Sequence, residues 1–307
     1  MGYRDIKQQL RGVPFTTATP FSEDGSKIQH SKLHENLQSL ERAGAQVFIP
    51  CGNTGEYYSL SHQERIEVVG THVEATQDES AVVAGVGGST KTAVELLSEY
   101  ERIGADAAMV MYPRHTYIHE QGLVDYYTKL AESTDLGLVL YKRGPLLSQK
   151  LIDELSTINN VIAVKYAVNN IKDFTQSVSD TTGDLVWLNG IAERYAPAFA
   201  LEGAEGYTTG IGNFAPEPVL ALSNAIRNED WARARHIRDI LRPYEDLREE
   251  SGMNNPFTAA NNVPAVKYGM ELAGFHGGPV RSPLVQLSEK DKKRTREYYE
   301  KINSATF

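Results

Sequence analysis

Ala81-Val82-Val83-Ala84-Gly85-Val86 and Ala107-Ala108-Met109-Val110-Met111-Tyr112 flank the segment Ser89 to Ile103, and reading these three pieces together decides the fold. Both runs are continuously apolar, as expected of parallel strands buried on two faces. Between them, Leu96, Leu97 and Tyr100 share one helical face. The turn Ile103-Gly104-Ala105-Asp106 provides a glycine for a left-handed cap before the next strand. This is one strand–helix–strand unit.

The same unit recurs in both directions. Upstream lie Val13-Pro14-Phe15-Thr16-Thr17 and Gln46-Val47-Phe48-Ile49-Pro50. Downstream lie Gly137 to Tyr141, Val161 to Lys165, Leu185 to Asn189 and Gly206 to Ile211. The intervening segments read as helices: Ser31 to Ala43, one opened by the capping box Ser61-His62-Gln63-Glu64, Glu120 to Glu132, Ser148 to Thr157, Asn170 to Ser179, Glu193 to Leu201 and Glu217 to Ile226. Eight such units in about 225 residues predict an α/β fold, a closed (β/α)8 TIM barrel in preference to an open doubly wound sheet. Past Asn228 the pattern is helix only, over Trp231 to Arg248, Pro264 to Leu272 and Ser288 to Ile302. The expected division is a catalytic barrel over residues 1–227, with a C-terminal helical extension over 228–307 packed on it.

Composition narrows the function. A chain of 307 residues with 41% hydrophobic and 23% charged residues can bury a large core, so it is not a disordered chain. The net charge of −9 repels phosphate backbones, and no nucleic-acid partner is expected. No long uncharged apolar run suggests a membrane span, and Met1 to Ile6 lacks the apolar core of a signal peptide. The single cysteine, Cys51, allows no intrachain disulfide and suits a cytoplasmic protein.

In such barrels the chemistry sits at the C-terminal ends of the strands. Lys165 closes an otherwise apolar strand, where a lysine is costly to bury unless neutral or paired. A desolvated lysine is an amine nucleophile that can form an imine with a ketone; the competing reading is a strand-end lysine reaching solvent. Tyr141 closes the neighbouring strand, where its hydroxyl can relay protons or be a satisfied core phenol. Asn53, Thr54 and Gly55, in Gly52-Asn53-Thr54-Gly55-Glu56, offer amides and small polar groups to a carboxylate, or form an ordinary tight turn. His115 after the fourth strand, with Thr208 and Thr209 at the eighth, are further candidates to touch substrate. Gly85-Val86-Gly87-Gly88 lacks dinucleotide-loop spacing. His30 and His34 lack a third metal ligand, and Cys51 reads as a small buried residue, so no metal is expected.

On these residues the chain resembles the dihydrodipicolinate synthase / N-acetylneuraminate lyase family of class I Schiff-base lyases, from about Gly12 to Leu287. The Gly-x-Thr-Gly-Glu motif is matched by Gly52 to Glu56, the strand-five tyrosine by Tyr141 and the imine-forming lysine by Lys165. Gly206 to Asn213 matches the Gly-x-x-Ser-x-x-x-Asn motif, with Thr209 in place of serine. The resemblance implies a barrel with a C-terminal helical extension, assembled as a homodimer or homotetramer, and acting on a small-molecule 2-keto acid without metal or organic cofactor. Asn53, His115 and Leu146 stand where true dihydrodipicolinate synthases usually have threonine, a proton-relay tyrosine and a carboxylate-binding arginine. Pro14 to Thr17, Thr54 to Leu60, Asn213 to Pro216 and Gly278 to Leu284 resemble the 5-dehydro-4-deoxyglucarate dehydratase branch. The expected activity is dehydration of a 2-keto-3-deoxy sugar acid. A pyruvate-dependent aldolase, a dihydrodipicolinate synthase and a non-catalytic ligand-binding barrel are the alternatives.

Overall fold

Each strand of the sheet pairs in parallel with its predecessor in the chain. A computed structural model describes residues 1–77 and 79–307. The strands are β1 (Pro14–Thr16), β2 (Val47–Ile49), β3 (Ala81–Val86), β4 (Ala107–Val110), β5 (Gly137–Lys142), β6 (Val161–Tyr166), β7 (Val186–Asn189) and β8 (Gly206–Tyr207). Tyr207 N–H donates to the Gly12 carbonyl at 3.2 Å and Thr209 N–H to that of Pro14 at 3.0 Å. Thr16 N–H donates to the Thr209 carbonyl at 3.0 Å, so the eighth strand joins the first and the expected barrel closes.

α1 (Tyr3–Leu10) precedes the barrel and touches β6 and β7. Its fully buried residues are Ile6 and Leu10, an i,i+4 pair too sparse to announce a helix in the sequence. The outer layer is α2 (His30–Arg42), α3 (His62–Ala75), α4 (Thr90–Ile103), α5 (Glu120–Glu132), α6 (Gln149–Ser156), α7 (Ile171–Asp180), α8 (Ala196–Leu201) and α9 (Pro216–Arg227). The capping box at Ser61 and Glu64 forms, and Gly104 takes the left-handed cap at φ 95°.

Two elements differ from the sequence reading. The helix expected from Glu193 opens as a 3-10 turn over Glu193–Tyr195, and α8 starts at Ala196 with Pro197 in its first turn. β8 is shorter than the apolar run suggested. Thr209 Oγ1 accepts from Gly212 N–H at 2.8 Å, and this side-chain bond bends the chain into the 3-10 turn Ile211–Asn213.

The extension comprises α10 (Trp231–Arg248), α11 (Asn262–Leu272) and α12 (Glu289–Ser304). α10 packs on α8, α9 and the Glu193–Tyr195 turn, while α11 reaches the Ile211–Asn213 turn. A buried ion pair ties it to the barrel: Lys267 Nζ of α11 lies 2.5 Å from Glu56 Oε1 and donates to the Pro279 carbonyl at 2.6 Å. Glu56 has a left-handed backbone at φ 58°, and its Oε2 accepts from Arg281 N–H at 2.9 Å. Among the described residues no helix is long and apolar enough to cross a membrane.

Candidate active site

Alternation along β6 decides where Lys165 points. Tyr166 faces the helix layer, its ring centroid 5.2 Å from that of Phe174 and 6.3 Å from that of Phe199, so Lys165 faces the barrel interior. Lys165 is only 5% exposed, and Tyr141 is its direct neighbour in the β5–β6 register. Its Nζ lies 4.8 Å from the centre of the Tyr141 ring and makes no hydrogen bond or ion pair among the described residues. Burial, then the charges of Arg143 and Arg248, pushes this amine down to about 7. Room for it depends on Gly190, where a Cβ would lie 2.9 Å from Lys165 Cγ and 2.8 Å from Ala167 Cβ.

The strand-two turn meets Tyr141 directly. Asn53 Nδ2 donates to the Tyr141 oxygen at 2.9 Å, leaving the phenol proton free to be donated elsewhere. Burial raises the Tyr141 phenol, with Arg143 and Asn53 opposing, so it stays protonated at neutral pH. Thr54 Oγ1 lies 3.1 Å from Thr16 Oγ1, which donates to the Thr209 carbonyl at 2.6 Å. The proton between the two threonines is therefore donated by Thr54, and its hydroxyl can only accept from anything else. The backbone N–H groups of Thr54 and Gly55 find no acceptor among the described residues, and they remain available to an anion.

At the β8 end, Tyr207 points outward, its hydroxyl donating to the Val219 carbonyl at 2.6 Å. Thr208 therefore points into the barrel, and its hydroxyl has no partner among the described residues. Thr209 points back outward and donates to Glu193 Oε1. Glu193 is completely buried, and burial followed by the neighbouring Glu245 pushes it up to about 8. Arg248, also buried, pairs with Glu245. Asn213 holds the framework, donating to the Thr16 and Gly210 carbonyls at 2.9 Å each.

Other sequence candidates fall elsewhere. His115 lies on the exposed loop between β4 and α5, its Nδ1 accepting from Tyr117 N–H at 3.1 Å. It makes no hydrogen bond with the group around Lys165 among the described residues. Leu146 packs against the core, whereas Arg143, exposed and two residues beyond Tyr141, supplies positive charge to the site. Arg114 stacks over the exposed Tyr58 ring at 4.1 Å, on the same rim. Cys51 is buried, and desolvation holds its thiol up at about 12, an inert state. His30 is engaged by Thr71 at 2.8 Å on the α2–α3 surface. Sequence reasoning did not single out Arg143, Glu193 or Arg248 as site residues. The only local mark was a cation beside the Gly144-Pro145 turn.

A model of the dihydrodipicolinate synthetase family matches residues 9–302. A 4-hydroxy-tetrahydrodipicolinate synthase of Methanothrix thermoacetophila is 31% identical over 303 residues, covering 97% of this chain and 98% of its own. A probable 5-dehydro-4-deoxyglucarate dehydratase of Acinetobacter baumannii is 30% identical over 281 residues, covering 89% of each. The crystal structure of dihydrodipicolinate synthase from Oceanobacillus iheyensis superposes with a TM-score of 0.92 at 31% identity, covering 99% of this chain and 100% of that one.

Proposed function

Because the chain belongs to the dihydrodipicolinate synthetase family, whose members are lyases, we propose that it dehydrates a 2-keto-3-deoxy sugar acid through an imine at Lys165. The unprotonated Lys165 amine adds to the C2 ketone, and loss of water gives a protonated imine. Removal of a C3 proton leaves an enamine. Its electrons expel the C4 hydroxyl, which takes up a proton and departs as water. Hydrolysis of the conjugated imine releases the product and frees Lys165. The substrate's C1 carboxylate lies against the N–H groups of Thr54 and Gly55, Tyr141 moves the protons of imine formation, and Thr208 meets the C4 hydroxyl. None of these steps calls for a metal or organic cofactor, and the working form is a homodimer or homotetramer.

The observation that carries this choice is the Asn53–Tyr141 hydrogen bond. An amide holds the phenol in place but passes no proton onward, so the hydroxyl relay implied for dihydrodipicolinate synthesis is interrupted at residue 53. A second reading, 4-hydroxy-tetrahydrodipicolinate synthesis, is favoured by the name of the 31% identical relative and by Arg143 beside Tyr141.

The test has two stages. Borohydride with pyruvate or a 2-keto-3-deoxy acid should add one substrate to a peptide containing Lys165, and labelling that survives Lys165→Ala sinks the assignment. A panel of 2-keto-3-deoxy acids, read by mass spectrometry, should then show loss of water. Stoichiometric pyruvate instead makes this an aldolase. Turnover of pyruvate with aspartate semialdehyde at on the order of 10 s⁻¹ establishes the second reading. No adduct and no turnover leave a binding protein.

A further inference from the structure

Glu193 is fully buried just after β7, and no step of the proposed chemistry uses it. Its Oε1 accepts the Thr209 hydroxyl proton, while its Oε2 has no partner among the described residues. Ala192, which delivers it, sits at φ 60°, a conformation that side-chain-bearing residues adopt only under constraint. The charged and titratable groups around it are few. From α10 come Glu245 and Arg248, paired with each other, and from β8 comes Tyr207. Arg194, next in the same turn, bonds to Asp246 at 2.8 Å instead. Arg248 also donates to Asn262 Oδ1 at 2.9 Å, and its guanidinium lies against Gly210, where a Cβ would meet Nη1 at 2.7 Å.

One guanidinium balances one carboxylate. A second ionised carboxylate in the same buried space has no cation left to offset its desolvation. We propose that Glu193 is a positioning residue that works as an un-ionised acid: through Thr209 it fixes the end of β8 and hence the inward aim of Thr208, while its retained proton leaves Arg248 paired with Glu245 alone. The upward displacement of Glu193 to about 8 agrees with this arrangement. The effect extends to Lys165, because Arg248 is one of the two cations that help to hold that amine unprotonated. Ionised, Glu193 would be drawn toward Arg248, and Thr209, held to it by a now charge-assisted hydrogen bond, would be pulled with the β8 terminus away from the aim that Thr208 needs. The rate should then decline above about pH 8, where Lys165 is already neutral.

The role in turnover rests on the imine reading; the protonation of Glu193 does not, and the two are measured separately. Infrared spectra of the wild type at neutral pH should show a protonated-carboxyl C=O band that disappears as pH rises past about 8 and is absent from Glu193→Gln. In borohydride trapping with a 2-keto-3-deoxy sugar acid, which carries the C4 hydroxyl that Thr208 meets, Glu193→Gln should stay within about twofold of wild type at neutral pH and keep its rate where wild type declines. Glu193→Ala, which releases Thr209, should lose roughly tenfold or more. The proposal is overturned if the neutral wild type shows no such band, if the band persists in Glu193→Gln, or if Gln is as damaging as Ala. Should no variant and no wild type trap the sugar acid, the imine reading has failed, and the infrared band alone decides the state of Glu193.

Discussion

The low basicity of Lys165 comes first from burial and then from two cations in unlike settings. Arg248 is buried and held by Glu245 and Asn262, whereas Arg143 is exposed, where water and salt weaken its field. Arg143→Ala should move the midpoint of the pH profile for pyruvate trapping upward by on the order of half a unit. Added salt should move the wild-type midpoint in the same direction. A profile unmoved by either change would assign the lowered basicity to burial and Arg248 alone. Lys165 and Tyr141 were legible in the sequence because each interrupts an apolar run with a polar residue at a strand end. Arg143 was not, since a cation two residues into a loop looks like any solvated surface charge. Nor was Arg248, whose burial depends on a helix that begins more than sixty residues after Lys165 packing back onto the barrel.

Between β1 and α3 a buried histidine makes an acid-labile joint. His72 Nδ1 donates to the Val68 carbonyl at 2.8 Å, so Nε2 is bare and accepts from the Thr17 hydroxyl at 2.8 Å. Burial pushes His72 from 6.5 down to about 4. Below pH 6.5 the unfolded chain takes up a proton that folded His72 refuses until about pH 4, so stability is lost as pH falls through that window. The loss should be about 2 kcal/mol between pH 7 and pH 5. Glu193, raised by burial, acts with the opposite sign over the same interval, because its proton is retained more strongly in the folded state. The measurement is therefore the difference in urea unfolding between wild type and His72→Gln. Equal pH dependence in the two would show that folded His72 takes up its proton at the same pH as in the unfolded chain. Most elements were legible for a related reason, since helices such as α5 and α10 announce themselves by periodicity. β8 was overread because Thr209, outwardly one more β-branched residue, spends its hydroxyl on ending the strand.

The molecule as a whole is joined by the Glu56–Lys267 pair, with both side chains essentially inaccessible to water. Lys267→Met would leave the Glu56 carboxylate buried without its cation, at a cost of about 3 to 5 kcal/mol. Restoring neutrality in Glu56→Gln/Lys267→Met should recover most of that loss, as read by urea unfolding. Equal stability of the two variants would show that the pair contributes through packing and not through charge. The single variant should also bind substrate less well, because Glu56 ends the turn that presents the Thr54 and Gly55 amides. A ribosome delivers this protein in a fixed order, with Lys165 and its strand emerging well before Lys267 is made. Until then Glu56 has no counter-charge and the anion-binding turn no anchor. The order of synthesis thus withholds a finished binding turn from a half-made chain that already carries its reactive amine.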